Sequence, residues 1–88
     1  MSGNTDKNNV SYANIIVSGK VQGVFFRTNG LNMAKQLGLK CIAENQSDGT
    51  VYFTVEGRKE NIDAFIAWCR KGPPLAQVTN VASFWDLE

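Results

Sequence analysis

The residues capable of chemistry cluster in Gly19-Lys20-Val21-Gln22-Gly23-Val24-Phe25-Phe26-Arg27. Glycine allows a tight turn and lets a ligand approach the main chain. Successive N–H groups in such a loop converge into an anion-binding concavity. A helix starting at its end adds unpaired N–H groups and a partial positive charge. Arg27 contributes a permanent charge on a planar fork that fits phosphate oxygens. As chemistry, the stretch is a phosphate cradle with a guanidinium clamp. As structure alone, it is a glycine-containing loop with a solvated arginine in the following helix. A Walker A loop is excluded, because Lys20 has neither the following Ser/Thr nor the upstream glycine. A dinucleotide fingerprint would need a parallel βαβ unit and a downstream ribose-binding acid, and neither is evident.

The second candidate is Asn45, at the mouth of the turn Gln46-Ser47-Asp48-Gly49. Its amide has a carbonyl acceptor and two N–H donors, enough to hold a water. An asparagine before a turn also caps its own backbone, and taken alone that is the commoner role. Histidine is absent, which removes His-based acid–base chemistry, a Ser-His-Asp triad, a Cys-His pair and the usual catalytic zinc sites. Cys41 and Cys69 fit no metal or redox spacing. Cys69 falls at a core-facing helical position and reads as a small buried hydrophobe; a bridge to Cys41 requires a proximity that spacing does not supply.

The elements that must position these residues belong to one small domain of 88 residues. Nine basic side chains against eight acidic ones, with no basic run, suggest neither a nucleic-acid nor an anionic-membrane partner. No apolar run has transmembrane length and the start lacks a signal-peptide core, so the cytoplasm is the expected compartment. Residues 1–11 read as a disordered polar tail. A strand is predicted over 12–18, with Ala13, Ile15 and Val17 facing the core. The loop 19–25 leads to a helix over about 26–37, with Gly30, Leu31, Ala34 and Leu37 inward and Gly38 at its end. Thr28, Asn29 and Asn32 read as solvated helix residues. A less regular strand follows at 39–44, then a hairpin turn at Asp48-Gly49. Val51, Phe53 and Val55 face inward from a strand over 50–56, broken by Gly57. Ile62, Phe65, Ile66 and Cys69 form the apolar face of a helix over 59–71, ended by Gly72-Pro73-Pro74. A last strand spans 77–85, with Val78, Val81 and Phe84 as its apolar marks. The β-α-β-β-α-β order predicts an α+β, ferredoxin-like sandwich: one antiparallel sheet with two helices on one face. That plan hosts many functions and decides none.

The two motifs together resemble a known family. Residues 19–27 are similar to the acylphosphatase signature G-x-V-Q-G-V-x-F-R at every defined position, and Asn45 to Gly57 resembles its second signature, N-x3-G-x-V-x5-G. Gly72-Pro73-Pro74 also looks like that family's connection after the second helix. The resemblance covers about residues 12–81. It implies hydrolysis of acyl phosphates to carboxylate and inorganic phosphate, with no metal or organic cofactor. By matching positions, the N–H groups of Gly19, Lys20, Val21, Gln22, Gly23 and Val24 would cradle the phosphoryl group, Arg27 would bind its oxygens, and Asn45 would orient the attacking water. The implied partners are the small-molecule acyl phosphate and phosphate. A monomer is expected, with edge-mediated pairing as the alternative.

The chain departs from the family pattern before Asn45, where Cys41 replaces glycine, Ile42 an aromatic and Glu44 a basic residue. Alternation points Glu44 away from Asn45. Relative to the family the chain also looks short by a final strand, and the counterpart of Arg27 often lies near a terminal carboxylate. Two other functions remain in view. One is a non-catalytic anion-binding or regulatory module of the same fold. The other is RNA binding through Tyr12 and Tyr52 on the open sheet face, although the third strand lacks the RNA-recognition consensus.

Overall fold

Alternation of β-branched and apolar residues with polar ones makes the first strand the spine of the sheet. The structure, a computed structural model, describes residues 10–86. β1 (Val10–Lys20) buries Ala13, Ile15 and Val17 and turns Tyr12, Asn14 and Ile16 to the other face. It pairs antiparallel with β3 (Val51–Arg58) on one side and β4 (Gln77–Asp86) on the other. β2 (Lys40–Asn45) pairs antiparallel with β3, so the sheet runs β2-β3-β1-β4. The helices α1 (Phe26–Gln36) and α2 (Lys59–Lys71) bury their apolar stripes in one common core with the inward residues of the sheet. This is the expected ferredoxin-like plan.

The core is organised by aromatic rings. Phe26, at the start of α1, lies 6.0 Å from Phe53 and 5.3 Å from Trp68, while Phe53 and Phe65 meet edge-to-face at 5.1 Å. Such pairs add about 0.5–1.5 kcal/mol beyond the area they bury. Phe26 is therefore the pin that fixes where α1 begins, and with it the position of Arg27. Gly30 is a packing requirement: a Cβ there would stand 2.6 Å from the Phe53 ring.

Several boundaries and faces differ from the sequence-based expectation. β1 starts at Val10 and continues through Gly19 and Lys20, so the connecting loop is only 21–25; residues 1–9 of the predicted tail lie outside the described residues. Leu31 is 40% exposed, and Phe26, Gly30 and Ala34 line the buried side of α1 instead. Gly57 does not break β3. It pairs with Ser11, and a side chain there would run into Leu39. β2 ends on Asn45 rather than before it. Phe84 is exposed, because it shares the open face with its partner Asn14, whereas Trp85 pairs with Ala13 on the helix side. A bulge between Ser18 and Gly19 lets Val78 and Val81 both face the core, although simple alternation would part them.

The open face carries Tyr12 and Tyr52, but the register sets Tyr12 opposite Glu56 and Tyr52 between Ile16 and Glu44. Glu44 and Glu56 outnumber Lys40 on these rows. A sheet that reads RNA needs aromatics with basic neighbours.

Candidate active site

The loop after β1 is held from both ends by buried valines. Val21 is 1% exposed and Val24 is 6% exposed, so the backbone between them is pinned to the core while Gly23 stands in the open. Gly23 has φ 76° and nothing within 4 Å of a notional Cβ, so its glycine serves conformation and access rather than packing. Gly19 serves the opposite need: a Cβ there would collide with the Gln77 carbonyl and crowd the Thr79 amide of β4.

Among the described residues, the N–H groups of Gln22, Gly23, Val24 and Phe25 find no hydrogen-bond acceptor. They lead directly into the first turn of α1, whose N-terminus has no side-chain cap and no acidic residue. A helix start leaves its first N–H groups unpaired and carries about half a positive charge. Arg27 sits in that turn and is exposed. The ion pairs among the described residues are Arg58–Glu60 and Lys59–Asp63, and neither touches Arg27. The result is a run of unneutralised donors and positive charge in one place.

Asn45 reaches the same place from the sheet. It ends β2, opposite Val51, and shares the helix-facing side of the strand with Cys41 and Ala43. A cleft of about 370 Å³ is lined by Val21, Gly23, Phe25, Phe26, Arg27, Thr28 and Asn45. The structure thus brings Arg27, the loop and Asn45 to one cleft. Of the expected cradle residues, Val21 and Gly23 line it, whereas Gly19, Lys20, Gln22 and Val24 do not; Gly19 and Lys20 belong to β1 and pair with Val78 and Gln77. Thr28, expected to be merely solvated, lines the cleft. A larger groove of about 710 Å³ is lined by Asn29, Asn32, Met33, Gln36, Trp68 and the Gly72-Pro73-Pro74 connection among others, and contains neither Arg27, Asn45 nor any residue of the 19–25 loop.

Two side chains have roles that the linear motif conceals. The Gln22 amide nitrogen donates to the carbonyls of Gln46 (2.8 Å) and Thr50 (2.9 Å), clamping the β2–β3 hairpin beside Asn45 to the loop. Asn29 is a solvent-exposed helix residue, as expected, and it also donates its side-chain N–H to the Phe25 carbonyl at 2.9 Å, which fastens the end of the loop. Neither role has a local signal in the sequence, because the acceptors are main-chain carbonyls.

The substitutions before Asn45 lie away from the cleft. Glu44 takes the open face with Tyr52 and receives a long hydrogen bond from Gln46 at 3.5 Å. Both cysteines are free thiols. Burial pushes Cys41 up to about 11 and Cys69 further upward, with Cys41 adding to the latter, so neither thiolate forms at neutral pH. Among the described residues no group of His, Cys, Asp and Glu is arranged to hold a metal ion, and no helix is long and apolar enough to cross a membrane.

Comparison with known proteins agrees with this geometry. A family model described as Acylphosphatase matches residues 13–87. The acylphosphatase of Methylococcus capsulatus is 46% identical over 67 residues, which cover 76% of this chain and 73% of that protein. An acylphosphatase structure from Coxiella burnetii superposes with a TM-score of 0.88 at 35% identity, covering 93% of this chain and 86% of that one. Full-length HypF, solved in a phosphate- and nucleotide-bound form, matches 90% of this chain over 10% of its own, with a TM-score of 0.82 and 31% identity. With the loop, the arginine and the asparagine meeting in one cleft of the expected fold, the chain belongs to the acylphosphatase family.

Proposed function

We propose that this chain hydrolyses the carboxyl–phosphate bond of acyl phosphates, releasing a carboxylate and inorganic phosphate. The observation that carries the reading is the unpaired N–H series from Gln22 to Phe25, running into an uncapped helix start that holds Arg27, with Asn45 across the same cleft. A phosphoryl group in transfer keeps negative charge on three equatorial oxygens, so positioning and electrostatics supply most of the catalysis. Backbone donors of the 19–24 stretch, chiefly those of the loop proper from Val21 to Val24, cradle these oxygens. The Arg27 guanidinium binds them with a two-pronged fork.

Asn45 orients a water for in-line attack. Its oxygen bonds to phosphorus as the phosphorus–oxygen bond to the acyl group breaks, and the bonding pair leaves with the carboxylate. A carboxylate is a good leaving group, so the step needs no strong general acid. The water's proton passes to a phosphate oxygen, which suits a cleft whose lining contains no titratable base. The reading uses one copy of the chain and gives no role to a metal or organic cofactor.

The test is hydrolysis of benzoyl phosphate in the presence of a chelator by the native chain, Arg27→Ala and Asn45→Ala. Removing a preorganised donor costs about a hundredfold or more in turnover. Both variants should lose about that much, and Arg27→Ala should also weaken inhibition by inorganic phosphate. A folded native chain that binds phosphate without turning over the acyl phosphate would instead identify a non-catalytic anion-binding module.

A further inference from the structure

Phe25 occupies a backbone conformation that bulky side chains avoid. Its φ of 64° and ψ of 26° lie in the left-handed region, and it is the only non-glycine residue with positive φ among the described residues. Asn29 holds it there, donating to the Phe25 carbonyl from its backbone N–H at 3.0 Å and from its side chain at 2.9 Å. The consequence is a ring turned outward. Phe25 is 71% exposed, whereas its neighbours Val24 and Phe26 are 6% and 1% exposed.

Core packing does not account for this ring, yet the residue lines the cleft that holds Arg27 and Asn45. The other apolar side chains of that lining, Val21 and Phe26, are buried at 1%. Phe25 is therefore the one apolar surface of the cleft available to a ligand. Once the phosphoryl group fills the cradle, the acyl group has to project through the mouth, where the exposed ring stands.

We propose that Phe25 is a specificity-determining residue, its ring forming a platform at the cleft mouth that contacts the acyl group and favours aromatic acyl phosphates over acetyl phosphate. This rests on the hydrolase reading above. Aromatic rings gain from offset or edge-to-face contact beyond the area they bury, and an acetyl group is too small to make that contact.

The test compares kcat/KM for benzoyl phosphate and acetyl phosphate in the native chain, Phe25→Asn, Phe25→Gly and Phe25→Tyr. Asn and Gly both accept left-handed backbone, so the loop is retained while the ring is lost. The benzoyl-to-acetyl ratio should fall about fivefold in both, and stay within about twofold of native in Phe25→Tyr. Inhibition by inorganic phosphate monitors the cradle separately. Acetyl phosphate turnover with an unchanged ratio in Phe25→Asn and Phe25→Gly overturns the role of Phe25 and leaves the hydrolase reading standing. An equal loss on both substrates with weakened phosphate inhibition also overturns it, since Phe25 would then act only through loop shape. A native chain inactive on both substrates overturns both readings.

Discussion

Gln22 donates its side-chain N–H to the main-chain carbonyl of Gln46 at 2.8 Å, joining the phosphate loop to the hairpin that carries Asn45. A second bond from the same nitrogen, to the Thr50 carbonyl at 2.9 Å, closes the clamp on both sides of the hairpin turn. Nothing else among the described side-chain hydrogen bonds ties these two parts of the site together. In Gln22→Ala the loop keeps its buried valines and Arg27 keeps its place, but Asn45 loses its brace. We expect kcat on benzoyl phosphate to drop about tenfold or more while inhibition by inorganic phosphate changes little, because misplacing one reacting partner slows chemistry more than binding. Two lost hydrogen bonds at a half-buried position should lower unfolding free energy by about 1–2 kcal/mol. A parallel loss of phosphate affinity would place Gln22 in the cradle instead.

Gly30 makes a prediction whose sign opposes the usual rule. Replacing a mid-helix glycine by alanine ordinarily gains about 1 kcal/mol. Here the new methyl would stand 2.6 Å from two atoms of the Phe53 ring. That ring is fully buried between Phe26 and Phe65 and has no room to retreat. Overpacking of this kind costs about 1–3 kcal/mol, so Gly30→Ala should destabilise on balance. Urea denaturation of the two chains decides it, and a raised midpoint would show that α1 lifts from the sheet at little cost.

The cysteines make the stability depend on alkaline pH. The Cys41 thiol is neutral when protonated, and burial moves it from its usual 9.0 to about 11. Between those values the unfolded chain gives up the proton and the folded chain keeps it. The stability linked to this group is therefore intact below pH 9 and lost as the pH rises toward 11. Cys69 behaves in the same direction. Denaturation midpoints measured across this range should fall more steeply for the native chain than for Cys41→Ser. A thiol reagent at pH 8 should label the folded chain far more slowly than the unfolded one.

Legibility in the sequence followed the range of the interaction. α2 could be read to its ends because Ile62, Phe65, Ile66 and Cys69 repeat at the helical period and Gly72-Pro73 stops it locally. The convergence of Arg27 and Asn45 was legible only through the paired motifs, since periodicity leaves their elements unplaced relative to each other. Phe84 is read as a core mark by its apolarity, but strict alternation from Val81 sets it on the open face opposite Asn14, whereas the bulge that skips Thr79 is what returns Val78 to the core side. Helical periodicity sets Leu31 inward because it shows a stripe in α1 but not which edge of it meets the sheet. The clamp by Gln22 was invisible, as its acceptors are main-chain carbonyls on a distant hairpin. The conformation of Phe25 was equally so: nothing in a phenylalanine advertises positive φ, which here comes from the loop on one side and Asn29 on the other.

Glu44 stands beside Asn45 in sequence, so it invites the idea of a site weakened by negative charge. The strand geometry argues against a large effect. Adjacent residues of β2 point to opposite faces, and Glu44 lies with Tyr52 on the open face while Asn45 faces the helices. The Glu44 side chain is exposed and takes its one hydrogen bond from Gln46. At physiological ionic strength a charge in water is screened over about 8 Å. Glu44→Gln should therefore change kcat/KM on benzoyl phosphate by less than about threefold, and the small gain it gives should shrink further as salt is raised. A gain of more than about tenfold that persists at high salt would mean that the carboxylate reaches around the strand edge to the phosphate.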